Sequence, residues 1–198
     1  MGYANPQSLI CIRLAGTDVD LGDPAFYEGR IQRALQLRQQ LLPGRRSYRL
    51  CAGEADGLPG VIIDRFEDVL SIQLTTLGMD QRQNFLKDAL LKILTPRAMV
   101  LRNDVPLRTL EGLSLHRGLW TGELTRPVVF EENGAAFEAD LLEGQKTGFF
   151  FDQTENRAWL MPRCKNARVL DVFAYVGALS VQAMRAGATS ALAIDSSG

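Results

Sequence analysis

Apolar positions along this chain follow two rhythms, one of helical spacing and one of period two. Phe26, Ile31, Ala34, Leu35, Leu37 and Leu41 recur at helical intervals, with Asp23 and Pro24 as N-cap and first-turn residue and Pro43-Gly44 as the stop. That spacing predicts a helix over about 24–41. From Ser47 the period shortens to two: residues 48–51, then 61–64 after a Leu58-Pro59-Gly60 turn, then 69–75 after the polar break Glu67-Asp68. These runs predict an antiparallel meander. Residues 79–94 return to helical spacing and end before Pro96, and 98–101 read as a short strand. The pattern is irregular after Arg102 until 127–132 and 136–141, which Asn133-Gly134 joins as a hairpin, because that pair accepts the positive φ values of a type I′ turn. At the start, Leu9, Cys11 and Arg13 alternate with Ile10, Ile12 and Leu14, and predict a strand over 7–14. Such a strand either joins the later sheet or is the edge of a domain cut away, since an isolated strand leaves its backbone groups unpaired.

The last block differs. Residues 169–173 read as a buried strand, 174–177 as a turn, 178–186 as a helix ended by Gly187, and 188–195 as a second strand. This is one β-α-β unit of a parallel sheet, so the expected fold class is α/β, with an α+β region ahead of it. Two parallel strands with one helix cannot cover both faces of a sheet, which predicts a domain cut short after its second strand.

Composition narrows the function classes. The chain has 198 residues, 46% of them hydrophobic, with 22 basic against 23 acidic side chains and a net charge of −1. Disorder, collagen and coiled coil are excluded. The N-terminal apolar run 9–12 and the uncharged stretch 172–184 are too short for a signal peptide or a membrane span respectively. Cys11, Cys51 and Cys164 are far apart and odd in number, and His116 is the single histidine, so neither a disulfide framework nor a metal site is expected. A reducing cytoplasm is the default location. The near-zero net charge conceals a basic run of Arg30, Arg33, Arg38, Arg45, Arg46 and Arg49 with no acid among them. It reads either as a solvated face or as a phosphate-contacting surface.

In an open α/β sheet, ligands bind beyond the carboxyl ends of the strands. Here that place is the run Asp171-Val172-Phe173-Ala174-Tyr175-Val176-Gly177. Asp195 closes the second strand, at the spacing from which an acid reaches ribose hydroxyls. A dinucleotide pyrophosphate would need G-x-G-x-x-G, whereas this loop has Gly177 alone and an aromatic residue, Tyr175. A nucleoside without phosphates fits better. S-adenosylmethionine meets that description, with ribose hydroxyls for Asp195, an amino group for Asp171 or Asp152, and a sulfonium near aromatic faces. The alternative is that Asp171 caps the turn and Phe173 is core. Upstream, Gln145 separates Gly144 from Lys146 and rules out a P-loop, leaving three phenylalanines, 149–151, and a helix start at Asp152 as core or lid.

Several ordered motifs carry a family resemblance: Tyr48-Arg49-Leu50, Glu54-Ala55-Asp56-Gly57-Leu58-Pro59-Gly60, Asp64-Arg65, Glu111-Gly112-Leu113, Glu132-Asn133-Gly134, 144–157 and 169–180. Together they resemble the class I S-adenosylmethionine-dependent methyltransferases of the ribosomal RNA large subunit methyltransferase I type, which modify carbon 5 of cytosine. The resemblance implies a PUA remnant at 1–14, a helical linker at 15–46, a central α+β domain at 47–142 and the beginning of a Rossmann-like methyltransferase domain at 143–198. It implies S-adenosylmethionine as cofactor and ribosomal RNA as partner, with a homodimer left open. Asp171, Phe173, Tyr175 and Gly177 would line the methionine end of the cofactor, Asp195 its ribose, and Lys146, Phe150, Asp152, Gln153 and Arg157 the adjoining wall. Arg30, Arg33, Arg38, Arg45 and Arg46 would face RNA. Ala174, Val176 and Ala178 stand where relatives usually have Cys, Thr and Gly, and Thr154 where Arg is usual. The family's nucleophilic cysteine would lie beyond residue 198. Cys11 and Cys51 read as core, and Cys164 has an electropositive setting but no strand end. Two other classes remain open: a methyltransferase for another acceptor, and a non-catalytic RNA-binding module.

Overall fold

The computed structural model describes residues 1–125, 127–145 and 147–196. The chain divides into two compact units, one of Met1–Val128 with Glu138–Phe149, the other of Val129–Phe137 with the chain from Phe150 onward.

The first unit opens on β1 (Gly2–Ala4) and β2 (Ile12–Leu14), paired antiparallel. The strand expected over 7–14 is therefore only its last three residues. Asn5 overrides the alternation, because its side chain accepts from the Gln7 amide, its carbonyl accepts from the Ser8 amide, and its buried amide group donates to Glu111. Such an Asx turn competes with extended backbone. Leu9 and Ile10 are left exposed on the connecting loop, and Cys11, expected in the core, is exposed as well.

Helix α1 (Pro24–Leu41) forms over the predicted span, with the Asp23 carboxylate accepting from the Ala25 amide at 2.9 Å. Its buried face is Tyr27, Ile31 and Ala34, whereas Leu37 and Leu41 face solvent, so the apolar stripe is narrower than the sequence implied. Those three residues join one core with Leu50, Ile63 and Ile72, so α1 is a packed wall of this unit.

The central sheet has the order β3-β4-β5-β6-β7, from Tyr48–Ala52, Val61–Phe66, Val69–Leu74, Ala98–Asn103 and His116–Gly122. All neighbours are antiparallel except β5 and β6, which run parallel. A parallel pair needs a crossover, supplied here by α2 (Leu77–Asp80) and α3 (Gln83–Leu94). Leu86, Ala89 and Leu90 of α3 enter the same core as α1. Strand β7 was read as irregular sequence. Two buried charged residues of the sheet are paired: Asp64 meets Arg49 in two bonds of 2.9 Å and accepts from Thr147, and Arg102 meets Asp104 and the carbonyls of Leu141 and Gly144.

The chain continues through the hairpin of β8 (Val128–Glu132) and β9 (Ala135–Ala139), where Asn133 and Gly134 take φ of 49° and 77° as the turn requires. In the second unit a short 3-10 turn, Phe151–Gln153, leads into α4 (Thr154–Leu160). Then β10 (Arg168–Val172), α5 (Ala178–Arg185) and β11 (Ser190–Ile194) make the parallel β-α-β unit, with Asp171 opposite Ala193. Leu170, Val172, Leu192 and Ile194 of this pair are exposed. Cys164, Ala183 and Ala188 form a small core beneath it, so the electropositive cysteine is a packing residue. No helix among the described residues is long and apolar enough to cross a membrane.

Candidate cofactor site at the end of the parallel strand pair

Strand β10 ends at Val172 because the backbone turns through left-handed conformations, with φ of 63° at Phe173, 51° at Tyr175 and 69° at Gly177, which is also the N-cap of α5. The bend is held by its own amides. Ala174 donates to the Ile194 carbonyl at 3.1 Å, Gly177 to the Ala174 carbonyl at 2.8 Å, and Tyr175 to Oδ2 of Asp195 at 2.7 Å. The Asp195 carboxylate thus faces the bend from the end of β11 and remains exposed. Asp171 is buried, and its Oδ2 accepts both the amide (3.1 Å) and the hydroxyl (2.9 Å) of Ser180 in the first turn of α5. A carboxylate there favourably opposes the positive end of the helix. This is the capping role left open in the sequence reading.

These bonds decide what the bend can hold. A phosphate site at a helix N-terminus needs backbone amides pointing outward. The amides of Ala174, Tyr175, Gly177 and Ser180 are engaged within the protein, and Asp171 already sets a negative charge at that terminus. What the bend presents is an exposed carboxylate, Asp195, and aromatic faces: Phe173 is 86% exposed, and Tyr175 meets Phe150 edge to face with ring centroids 5.2 Å apart. That donor set fits a phosphate-free nucleoside bearing a cationic group.

The other residues expected in the wall are placed differently from one another. Phe150 is half-buried against Tyr175, while Phe149 and Phe151 are buried. Asp152 and Gln153 are exposed on the 3-10 turn, with Gln153 accepting from Asn156 at 2.8 Å. Arg157 is buried, its Nε 2.7 Å and its Nη2 2.5 Å from the two carboxylate oxygens of Glu132. Lys146 lies outside the described residues.

Glu132 entered the sequence reading only as part of the Glu132-Asn133-Gly134 motif and was given no role in the site. Its buried carboxylate also accepts from the Thr154 hydroxyl and from Nε2 of Gln182 at 2.7 Å. The signal was present: along β8, Val128, Phe130 and Glu132 alternate onto one buried face, so a carboxylate at the third such position must find partners inside.

In the first unit the arginine run is largely engaged by protein acceptors. Arg30 donates to the Ala15 carbonyl, Arg38 pairs with both oxygens of Asp56, and Arg46 pairs with Glu67 at 2.8 Å while staying exposed. Arg33 is exposed and Arg45 half-buried. Among the described residues no cluster of His, Cys, Asp and Glu gathers as metal ligands.

A family model described as S-adenosylmethionine-dependent methyltransferase matches residues 117–198. The ribosomal RNA large subunit methyltransferase I of Pseudoalteromonas translucida is 40% identical over 195 residues, which are 96% of this chain and 49% of that protein. The chain is homologous to the ribosomal RNA large subunit methyltransferases I. It spans about half the length of these curated relatives. A protein of Streptococcus mutans assigned as a SAM-dependent methyltransferase superposes with TM-score 0.82 at 22% identity, covering 98% of this chain and 50% of that one. A second structure, assigned as a methyltransferase and solved in complex with SAH, superposes with TM-score 0.83 at 21% identity over the same shares. At such identities the superpositions establish the fold alone, an α/β architecture.

Proposed function

We propose that this chain contributes the cofactor-facing bend of an S-adenosylmethionine-dependent methyltransferase that methylates carbon 5 of a cytosine in large-subunit ribosomal RNA. The observation that carries the reading is the Asp195 carboxylate, exposed at the end of β11 and bonded to the Tyr175 amide. The names of the homologous proteins supply the ribosomal RNA, and the SAH-bound neighbour supports the cofactor. Asp195 would accept hydrogen bonds from the ribose hydroxyls. Phe173 and Tyr175 would face the sulfonium, and Gly177 would let the chain turn into α5. Asp152 and Gln153, exposed at the start of the turn before α4, would reach the polar end of the cofactor. Asp171 would hold the bend through Ser180. When bound, S-adenosylmethionine supplies an electrophilic methyl group. Cys51 is buried with its thiol pushed up to about 12, and Cys164 is buried too, so neither is assigned as a nucleophile.

The test is calorimetric binding of SAH to the complete gene product, followed by transfer of labelled methyl from S-adenosylmethionine to large-subunit ribosomal RNA. Asp195→Asn should weaken SAH at least about tenfold, equivalent to about 1.4 kcal/mol, and digested product should contain 5-methylcytidine. Undiminished SAH affinity in Asp195→Asn, or a methylated nucleoside other than 5-methylcytidine, would overturn the corresponding part.

A further inference from the structure

Arg157 was expected to touch the cofactor, but its surroundings give it other work. Its Nε and Nη2 meet the two oxygens of Glu132, and the same Nη2 donates to the Phe150 carbonyl at 3.0 Å. Phe150 lies four residues before the start of α4 at a non-helical backbone position, φ −101° and ψ 76°, and its carbonyl also accepts from the Gln153 amide at 3.1 Å. The Phe150 ring stands edge-on to Tyr175 with planes at 85°, and the Tyr175 amide holds Asp195. Glu132 is the hub behind this line: it accepts from Thr154 and Arg157 of α4 and from Gln182, which is wholly buried on α5. Asn133 adds a bond to Oε1 of Gln182 at 3.1 Å. A charged group that is buried and multiply bonded tolerates little displacement, because each lost partner leaves a desolvated atom behind.

We infer that Glu132 and Arg157 are positioning residues: the buried pair fixes the Phe150 carbonyl, and through it the Phe150 ring that braces Tyr175 and the Asp195 carboxylate at the bend. The inference deepens the cofactor reading and rests on it for its purpose, while its structural content is testable without cofactor. Planar Arg holds both Glu132 and Phe150 through one fork, a geometry that Lys cannot reproduce.

The measurement is amide hydrogen exchange of the ligand-free complete gene product, with SAH titration in parallel. Arg157→Lys should speed exchange of the Tyr175 amide about tenfold, with the Ile72 amide in the central sheet of the other unit and the Thr189 amide, bonded to the Ala167 carbonyl at the opposite end of the strand pair, unchanged, and should weaken SAH by a similar factor. Phe150→Leu, which leaves the buried pair intact, should give the same local loosening, and Phe150→Tyr should restore it. Unchanged Tyr175 exchange in both Arg157→Lys and Phe150→Leu would overturn the inference. So would loosening spread equally over Tyr175 and Thr189, the mark of a residue that merely stabilises the unit. If the unsubstituted protein fails to bind SAH, the cofactor reading falls, while the exchange data still decide whether the pair braces the bend.

Discussion

Glu111 shows how much one buried carboxylate can organise. It accepts from the Asn5 side chain at 2.8 Å and from the Leu77 amide at 3.2 Å, and Arg13 lies 3.9 Å away. Burial pushes its carboxyl up, but the hydrogen bonds from Ser8, Asn5 and Leu77, with the Arg13 charge, more than offset this and hold it below its ordinary value of 4.5. A folded-state value below the unfolded one means that the stabilisation is present above about pH 4.5 and is lost as pH falls through the folded value. Glu111→Gln should therefore lose about 2 kcal/mol at pH 7, a gap that closes on acidification. Thermal melts of both proteins at pH 7 and pH 3 check this, and a gap constant across that range would contradict it. The residue scale also shows where sequence reading stops. Asp171 and Asp195 were both singled out, but whether a carboxylate caps a helix or faces a ligand depends on which amide lies within 3 Å, and a linear pattern does not contain that distance.

At the scale of elements, strong local chemistry was legible. Asp23-Pro24 started α1 where expected, and the Asp23 bond to the Ala25 amide makes a clear test: Asp23→Ala should cost about 1 kcal/mol and lower the melting temperature by a few degrees, whereas Asp23→Asn should keep most of the stability. Asn133-Gly134 likewise gave the hairpin. The β10-α5-β11 unit was legible because its apolar runs are bounded by Gly177 and Gly187. Strand β7 was hidden because it is an edge strand, largely exposed, whose sequence His116-Arg117-Gly118 at the start has no apolar alternation. Its pairing comes from β6 and is a tertiary fact. The parallel join of β5 to β6 escaped for the same reason: strands of either direction carry similar runs, and only the α3 crossover distinguishes them.

Across this chain, a net charge of −1 means that the proposed RNA contact would draw on local basic surface and not on an overall positive field. The arginine run seemed to offer one, yet Arg30 and Arg38 are held by protein acceptors, a pairing set by the fold and invisible in the spacing. Arg33→Glu with Arg45→Glu should weaken binding of the complete gene product to large-subunit ribosomal RNA several-fold and flatten the dependence of log affinity on log salt by about one to two units. A filter-binding salt series reads both, and an unchanged slope would remove this surface from the RNA contact. The twisted backbone after β10 carries a last implication. Left-handed φ at a residue with a side chain costs about 1 kcal/mol or more relative to glycine, yet phenylalanine and tyrosine occupy positions 173 and 175, and glycine only 177. Main-chain comfort alone would favour glycines throughout, so replacing the 86% exposed Phe173 by glycine should relieve that penalty at little packing cost, while under the proposed reading it strips the bend of a ring that would face the sulfonium.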